Sequence, residues 1–518
     1  MRHVLVMAGT GAIGLMAVFA VDMLNMVYIA HLGQTALTAA IGFAGAVIGI
    51  QIAVAIGLTI GISAATGREI GAGRHEEARQ IASSALAVML VLTTVLGLGT
   101  MIAAHPILSL FGARGDALAH ATTYLQTVSP FLPLICMGMN CSALMRVVGD
   151  AKGSMHITLL GAVVAAILDP IMIFGLHEGL TGAAISTVIS RLVVALAGLR
   201  GALRHDMMTW PTLSRIVPDS RHVASVAMPA ILTNLATPLG GVYVTQSMAR
   251  FGLEAVGGQA SIERTVPVLF SLVFALTGSI GPIMAQNMGA GLYQRVRETL
   301  AAALKLVMVS IGLTWIILAA MQNYVVAVFN AHGDAAMLIH LFCSLTIGSY
   351  LFVGMLFVAN AAFNNLGFPL YSTAFNWGRA TLGTIPFVGL GTRFGPAGVQ
   401  IGQAAGVIVF GTLAVLTAFR VTRTLTGPVA ASKPGTVPAS DVPTTGTRIM
   451  SKLTTEERNA LPDDAFALPG RRYPIPDASH ARDALARASE MLHRGTLTQE
   501  EYDTIHTKAE NVLRRERM

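Results

Sequence analysis

Two carboxylates in this chain stand where a charge is hardest to keep. Asp22 lies inside an apolar run that starts near residue 4, and Asp169 sits in Ile167-Leu-Asp-Pro170 within another. A charged side chain at the centre of a membrane span costs at least about 2.5 to 3.5 kcal/mol, so each one needs a reason. A carboxylate held in an apolar cleft can take and release a proton near neutral pH, which would couple proton flow to a change of shape. Five cations and acids share this setting: Arg146, Arg191, Glu263, Arg264 and Arg379. Structural alternatives exist for all of them. Asp22 could pair with Arg191 to hold spans together, and Asp169-Pro170 could be a helix break satisfied by neighbouring backbone. Glu263, Arg264 and Arg379 read either as a structural charge cluster or as a polar patch that meets substrate.

The elements that must position these groups are membrane helices. Of 518 residues, 53% are hydrophobic and 12% charged, about half the charged fraction of roughly 25% found in soluble domains. Charge-free stretches of 45 residues (23–67) and 44 residues (335–378) each have room for two spans of about 20 residues. Breaking the apolar runs at charges, Gly and Pro predicts an all-α membrane protein of twelve helices, at 4–30, 36–66, 80–104, 119–147, 155–176, 181–204, 222–249, 255–287, 296–322, 335–365, 370–391 and 396–420. With the N-terminus cytoplasmic, fifteen Lys/Arg fall on the inner side and three, Arg114, Arg250 and Arg393, on the outer. That asymmetry and the even span count put both termini in the cytoplasm. No Lys/Arg run interleaved with aromatics suits nucleic acid, and Cys136, Cys141 and Cys343 all lie in apolar runs, so no disulfide framework or metal site is expected. No Walker A, HExxH or GxSxG element occurs, so no enzyme activity and no cofactor is expected.

The chain repeats itself. Gly71-Ala-Gly73 returns as Gly289-Ala-Gly291, Phe111 and Gly115-Asp116 as Phe329 and Gly333-Asp334, and Gly149 as Gly367, each 218 residues later. Gly179 and Gly182 then match Gly395 and Gly398 at an offset of 216. One unit is about six spans, so the two copies are parallel repeats, and transporters commonly place substrate where such halves meet. Asp22 maps near Gly240 or Gly241 and Asp169 between Ile385 and Phe387, positions without an acid. The carboxylates are thus peculiar to the first copy, as a site needed once can be. The organisation expected is a six-helix lobe at 1–204, a linker at 205–221, a second lobe at 222–424, a flexible linker at 425–450 and a small soluble helical tail at 451–518.

Gly-Arg-Glu-Ile-Gly-Ala-Gly-Arg (67–74), Arg146-Val-Val-Gly-Asp150, Ile167-Leu-Asp-Pro170, Gly182-Ala-Ala-Ile-Ser-Thr187 and Ala285-Gln-Asn-Met-Gly-Ala-Gly291 stand in this order. As a set they resemble the multidrug and toxic compound extrusion (MATE) family over about residues 2 to 424. The resemblance implies two six-helix bundles around a cleft that opens alternately to each side. It implies a secondary antiporter of the bacterial inner membrane that exports cationic or amphipathic small molecules against H⁺ or Na⁺, acting as a monomer. Asp22 and Asp169 match the family's proton-responsive N-lobe network, Thr187 falls on its threonine, and Tyr124 and Asn140 are further candidates. Asn234, Glu263, Arg379 and Met26 are candidates for substrate contact, with Met23 and Met139 as flexible neighbours.

Departures from the family pattern narrow the coupling ion. Ala165 stands where that network often has an asparagine, and spans 7 and 10 offer Thr233, Asn234, Asn360, Asn364 and Asn365 rather than the acids associated with Na⁺. A multi-oxygen cation site is weakened, which favours H⁺. Span 1 has Gly9, Gly11 and Gly14 but no proline. Two rivals remain: a lipid-linked saccharide flippase of the same superfamily, which would carry fourteen spans and a more basic cleft, and a membrane-embedded enzyme or scaffold whose tail carries the activity. In that tail, Thr498-Gln-Glu-Glu501 predicts a capping box opening a helix to about 514, after a helix at about 479–493.

Overall fold

The computed structural model describes residues 2–32, 35–329, 331–425, 461–470, 472–476 and 497–515, with the single positions 480, 481, 484 and 488. It divides into two compact units, residues 1–429 and 430–518.

The first unit is helical throughout its described residues. Its first half holds α1 (Arg2–His31), α2 (Thr35–Gly71), α3 (His75–Ile102), the short α4 (Ala104–Leu110), α5 (Gly115–Val128), α6 (Leu132–Val147), α7 (Ala151–Pro170) and α8 (Gly179–Arg204). The second holds α9 (Leu213–Ala249), α10 (Leu253–Leu269), α11 (Ser271–Gly289), α12 (Tyr293–Val328), α13 (Gly333–Ser344), α14 (Tyr350–Leu366), α15 (Pro369–Gly378), α16 (Ile385–Gly391) and α17 (Gly395–Thr424). Among the described residues, ten stretches are long and apolar enough to cross a membrane, and α10 with α11, bent by 48°, makes an eleventh. One of the ten, Pro369–Thr424, is 56 residues long, which as one helix would span about 84 Å against a bilayer core of about 30 Å. Gly395, at φ +79°, turns the chain back there and divides it into two antiparallel passes. Twelve crossings result, as the sequence predicts.

Several of these spans are broken rather than continuous. Pro130 and Pro133 impose a 3-10 turn, Ser129–Phe131, between α5 and α6. Pro267 lacks the N–H that would bond residue 263, and the helix ends at Leu269 before restarting at Ser271. Pro170 closes α7 and the chain runs on as a π-helical turn, Ile171–Gly175. A second π turn, Arg379–Gly383, separates α15 from α16. Helix α9 begins at Leu213, so half of the expected linker is helix.

Small residues set the helix contacts. An added Cβ at Gly57 or Gly61 of α2 would run into Ile231 or Ala227 of α9, whereas Gly45 and Gly49 meet nothing within 4 Å. Of these two GxxxG pairs, Gly57 and Gly61 alone form a packing seat, in the half of α2 nearer Gly71. The polar connectors after α2 and α8 are not simply solvated. Arg215 of α9 pairs with Glu77 of α3 and, at 3.3 Å, with Asp219, which is buried and accepts a 2.9 Å bond from Ser84. Arg79 reaches Asp206 at 3.1 Å.

The second unit is more than a helical hairpin. Strands β1 (Phe466–Leu468) and β2 (Arg472–Pro474) pair antiparallel, Phe466 opposite Pro474. They pack with α18 (Gln499–Arg515) around Ala467, Leu468, Ile475, Leu497, Ile505 and Ala509. The helix expected at 479–493 falls largely outside the described residues; His480, Ala481, Ala484 and Ala488 are helical. The capping box forms as expected: Glu501 N–H donates to Thr498 Oγ1 at 3.3 Å and Thr498 N–H to Glu501 Oε2 at 3.2 Å. The Thr498 N–H, and after it the Arg472 guanidinium, hold the Glu501 carboxyl below its ordinary value. A depressed carboxyl stabilises the fold above its unfolded value, about 4.3, and that gain fades as pH falls through the lower folded value. We therefore expect α18 to lose helicity on acidification below about pH 4, and Glu501→Gln to flatten that response; far-UV circular dichroism of the tail segment checks both.

Candidate functional site

The geometry around Asp169 is set by the end of α7. As the penultimate residue before a π turn, Asp169 points away from lipid and is only 2% exposed. Both of its oxygens are engaged by neutral donors. Ser186 Oγ of α8 donates to Oδ1 at 2.6 Å, and Asn25 Nδ2 of α1 donates to Oδ2 at 3.0 Å. Asp22 lies three residues before Asn25, hence on the same face of α1. Its charge acts on Asp169 and Arg191, and unlike Asp169 it is exposed.

Tyr124 of α5 and Thr187 of α8 complete the cluster. Tyr124 lies beside Thr187 and within electrostatic reach of Asp22, Asp169 and Arg191. Thr187 also donates to Ala183 O at 2.9 Å. Arg191, one turn after Thr187 and 8% exposed, donates to Val128 O at 3.3 Å, at the carbonyl end of α5. Among the described residues no carboxylate comes within 4.0 Å of Arg191, so Asp22 and Arg191 are neighbours without being an ion pair. The set Asp22, Asn25, Tyr124, Asp169, Ser186, Thr187 and Arg191 thus gathers from four helices of the first half.

The structure separates one candidate from this set. Asn140 of α6 is fully buried, and its Nδ2 donates to Cys136 O at 2.8 Å and to Met89 Sδ at 2.9 Å, away from the carboxylates. Sequence reasoning passed over Asn25 and Ser186. Their signals were available: Asn25 is one turn from Asp22, and Ser186 adjoins Thr187. Asn25 brings an amide to Asp169 in a chain that has Ala165 where the family pattern often has asparagine.

The second half holds a different arrangement. Glu263 of α10 accepts a 3.0 Å bond from Gln259, one turn earlier. Arg379, in the π turn before α16, donates from Nη2 to Thr237 Oγ1 at 2.8 Å, and its buried Nε has no partner. Glu263 and Arg379 make no ion pair with each other; Tyr350 lies within electrostatic reach of both and stacks on Phe270 at 4.9 Å. Arg264 is exposed beside them. Asn234 is half-buried and bonds back to Ala230 O at 2.8 Å. The side chain of Met26 lies outside the described residues. Among the described residues no group of His, Cys, Asp and Glu is spaced to hold a metal ion.

The family profile described as MatE matches residues 12–171 and again 229–388, two copies that coincide with the repeat read from the sequence. A protein of Shewanella oneidensis named FAD transporter is 30% identical over 398 residues, covering 76% of this chain and 88% of that one. Multidrug export protein MepA of Staphylococcus aureus is 23% identical over 349 residues, 64% of this chain and 76% of its own length. In fold, the crystal structure of the Vibrio cholerae MATE transporter VcmN in its bent form superposes with a TM-score of 0.76 at 22% identity, over 82% of this chain and 97% of that one. A MOP superfamily transporter from Pyrococcus furiosus gives 0.75 at 20% identity, over 82% and 96%.

Proposed function

This chain belongs to the MATE family of multidrug efflux transporters, and from that premise we propose that it exports cationic or amphipathic small molecules in exchange for H⁺, with Asp169 and Asp22 carrying the proton. The observation that supports this reading best is the environment of Asp169. Its oxygens accept bonds from a hydroxyl and an amide, both neutral, and among the described residues no cation pairs with it. A proton can therefore neutralise the carboxylate without breaking an ion pair. A metal cation, by contrast, would need several converging oxygens, and here the amide presents its N–H instead.

Protonation removes one negative charge from a site where two carboxylates act on each other and on Arg191. The bonds from α1 and α8 to Asp169 are strongest when it is ionised, so loading a proton loosens α1 from the rest of its lobe. Tyr124 of α5 and Thr187 of α8 lie beside this point. We assign substrate contact to Glu263 and Arg379 as its polar part and to Asn234 and Met26 as its periphery. The excess of Lys/Arg on the side of Gly71 and Gly289 supports cytoplasmic termini.

Ethidium efflux from vesicles containing the purified chain tests the reading. An imposed H⁺ gradient should drive export and an equal Na⁺ gradient should not; export driven by Na⁺ alone would overturn the proton assignment.

A second substrate class has its own support. Arg379 has an unpaired buried Nε and no carboxylate partner within 4.0 Å among the described residues, an arrangement suited to an anionic group. The Shewanella oneidensis relative is named for a dinucleotide. Flavin adenine dinucleotide therefore belongs in the same vesicle assay, and Arg379→Gln should depress its export more than that of ethidium.

A further inference from the structure

The helix ends next to Gly71 and Gly289 face each other across the junction of the two halves. An added Cβ at Gly71 would collide with Gln286 O of α11, and one at Gly289 with Arg68 O of α2. Gly67 likewise meets Ala285, at 2.9 Å from the position of its added Cβ. Gly67 thus meets residue 67 + 218, and the offset of 218 maps the Gly71–Gln286 contact onto the Gly289–Arg68 contact, so α2 and α11 cross on the pseudo-twofold axis of the repeat. Only small residues allow two helices to approach so closely.

At this crossing each half reaches into the other. The last turn of α6 leaves four carbonyls without intrahelical partners. Val148, Asp150 and Gly149 N–H take Leu144, Met145 and Arg146 O, and Gln286 Nε2 of the opposite half donates to the fourth, Val147 O. At the end of α14, Gly367 and Phe368 N–H both bond Phe363 O. Arg68 of the opposite half then donates from Nε to Asn365 O at 3.1 Å and from Nη2 to Asn364 O at 3.4 Å. Arg68 and Gln286 are 218 residues apart, and so are Val147 and Asn365. The two contacts are therefore one contact made twice by the repeat, in opposite directions.

We propose that Arg68 and Gln286 form a reciprocal latch that holds the two lobes shut at this end, by capping the helix ends of the opposite lobe. Resting on the transporter reading, the latch must open when the cleft turns toward this side. Its chemistry fits release. Among the described residues Arg68 has no carboxylate partner, and Glu69 is taken by Arg74 at 2.6 Å. Its charge is held by carbonyls and by the negative end of α14. Water can replace a carbonyl bond with little net loss, whereas a buried ion pair would resist separation.

Ser279 reports the state of the latch. It is 1% exposed in α11 and donates to Met7 O of α1 at 3.0 Å across the same junction. Ser279→Cys is placed in the full chain, and its labelling by a membrane-impermeant maleimide is measured in inside-out and right-side-out vesicles. The chain without that change supplies the background from the three buried native cysteines. Arg68→Ala and Gln286→Ala should each raise labelling from the latch side by about fivefold, the double variant by more, and Arg68→Lys by less than Arg68→Ala. Unchanged labelling in both single variants, or an equal rise from both membrane faces, overturns the proposal, the latter because it marks general loosening. Should Arg68→Ala not yield folded protein, Gln286→Ala and Gln286→Glu decide the question in the same assay. Labelling needs neither substrate nor ion, so a chain that labels as expected yet exports nothing refutes the transport reading alone.

Discussion

Asp169→Asn abolishes proton-driven export, with an expected loss of about 100-fold or more in the rate of ethidium efflux under an imposed pH gradient. The substitution is nearly isosteric, and its remaining oxygen still accepts from Ser186, so the packing of α7 against α8 survives. What disappears is the group that gains and loses a proton. Asn25 then faces a neutral partner, and α1 and α7 no longer change their attraction over the cycle. Ser186→Ala and Asn25→Ala each remove one neutral hydrogen bond and should slow export without eliminating it. Normal pH-driven efflux by folded Asp169→Asn would move the coupling site elsewhere, with Asp22 and Glu263 next in line.

The second large effect concerns the fold. Gly406→Val should cost about 3 kcal/mol or more and leave little monodisperse protein in detergent. A Cβ at Gly406 would occupy the position of Gly383 O in the π turn before α16. Gly398 meets Gly391 O and Gly402 meets Phe387 O in the same way, so three glycines four residues apart form the seam on which α16 and α17 pack. No flexible side chain lies opposite to give way; the obstacle at each point is backbone. Gly45→Ala is the control: nothing lies within 4 Å of that site, and its thermal midpoint should match the wild type. If Gly406→Val eluted and melted like the parent, the α16–α17 contact would have to be looser than described.

Much of this protein is written locally in its sequence. Long charge-free stretches, glycines recurring at a fixed offset and the Lys/Arg asymmetry need no tertiary information, because the bilayer acts on each span separately. The same holds for the carboxylates: burial makes an ionisable group expensive wherever it packs, so Asp22 and Asp169 stood out from their surroundings alone. The capping box at Thr498 is equally local, since its partners lie three residues apart.

Tertiary structure decided which groups meet. Asp169 is bonded by Asn25, 144 residues away, and no spacing rule links the two. Asn140 looked like a member of the same network, yet its helix turns it toward Met89 and Cys136. Glu263 and Arg379, opposite charges in the second half, share Tyr350 without pairing, because the break after Pro267 and the π turn at Arg379 fix where each side chain emerges. Arg215, in the segment expected as a linker, is instead on helix α9 and pairs with the buried Asp219 at 3.3 Å. The physical reason is common to all of these. A sequence records that a polar group is buried and must be satisfied, whereas the partner that satisfies it depends on the rotation and depth of a helix packed from elsewhere in the chain.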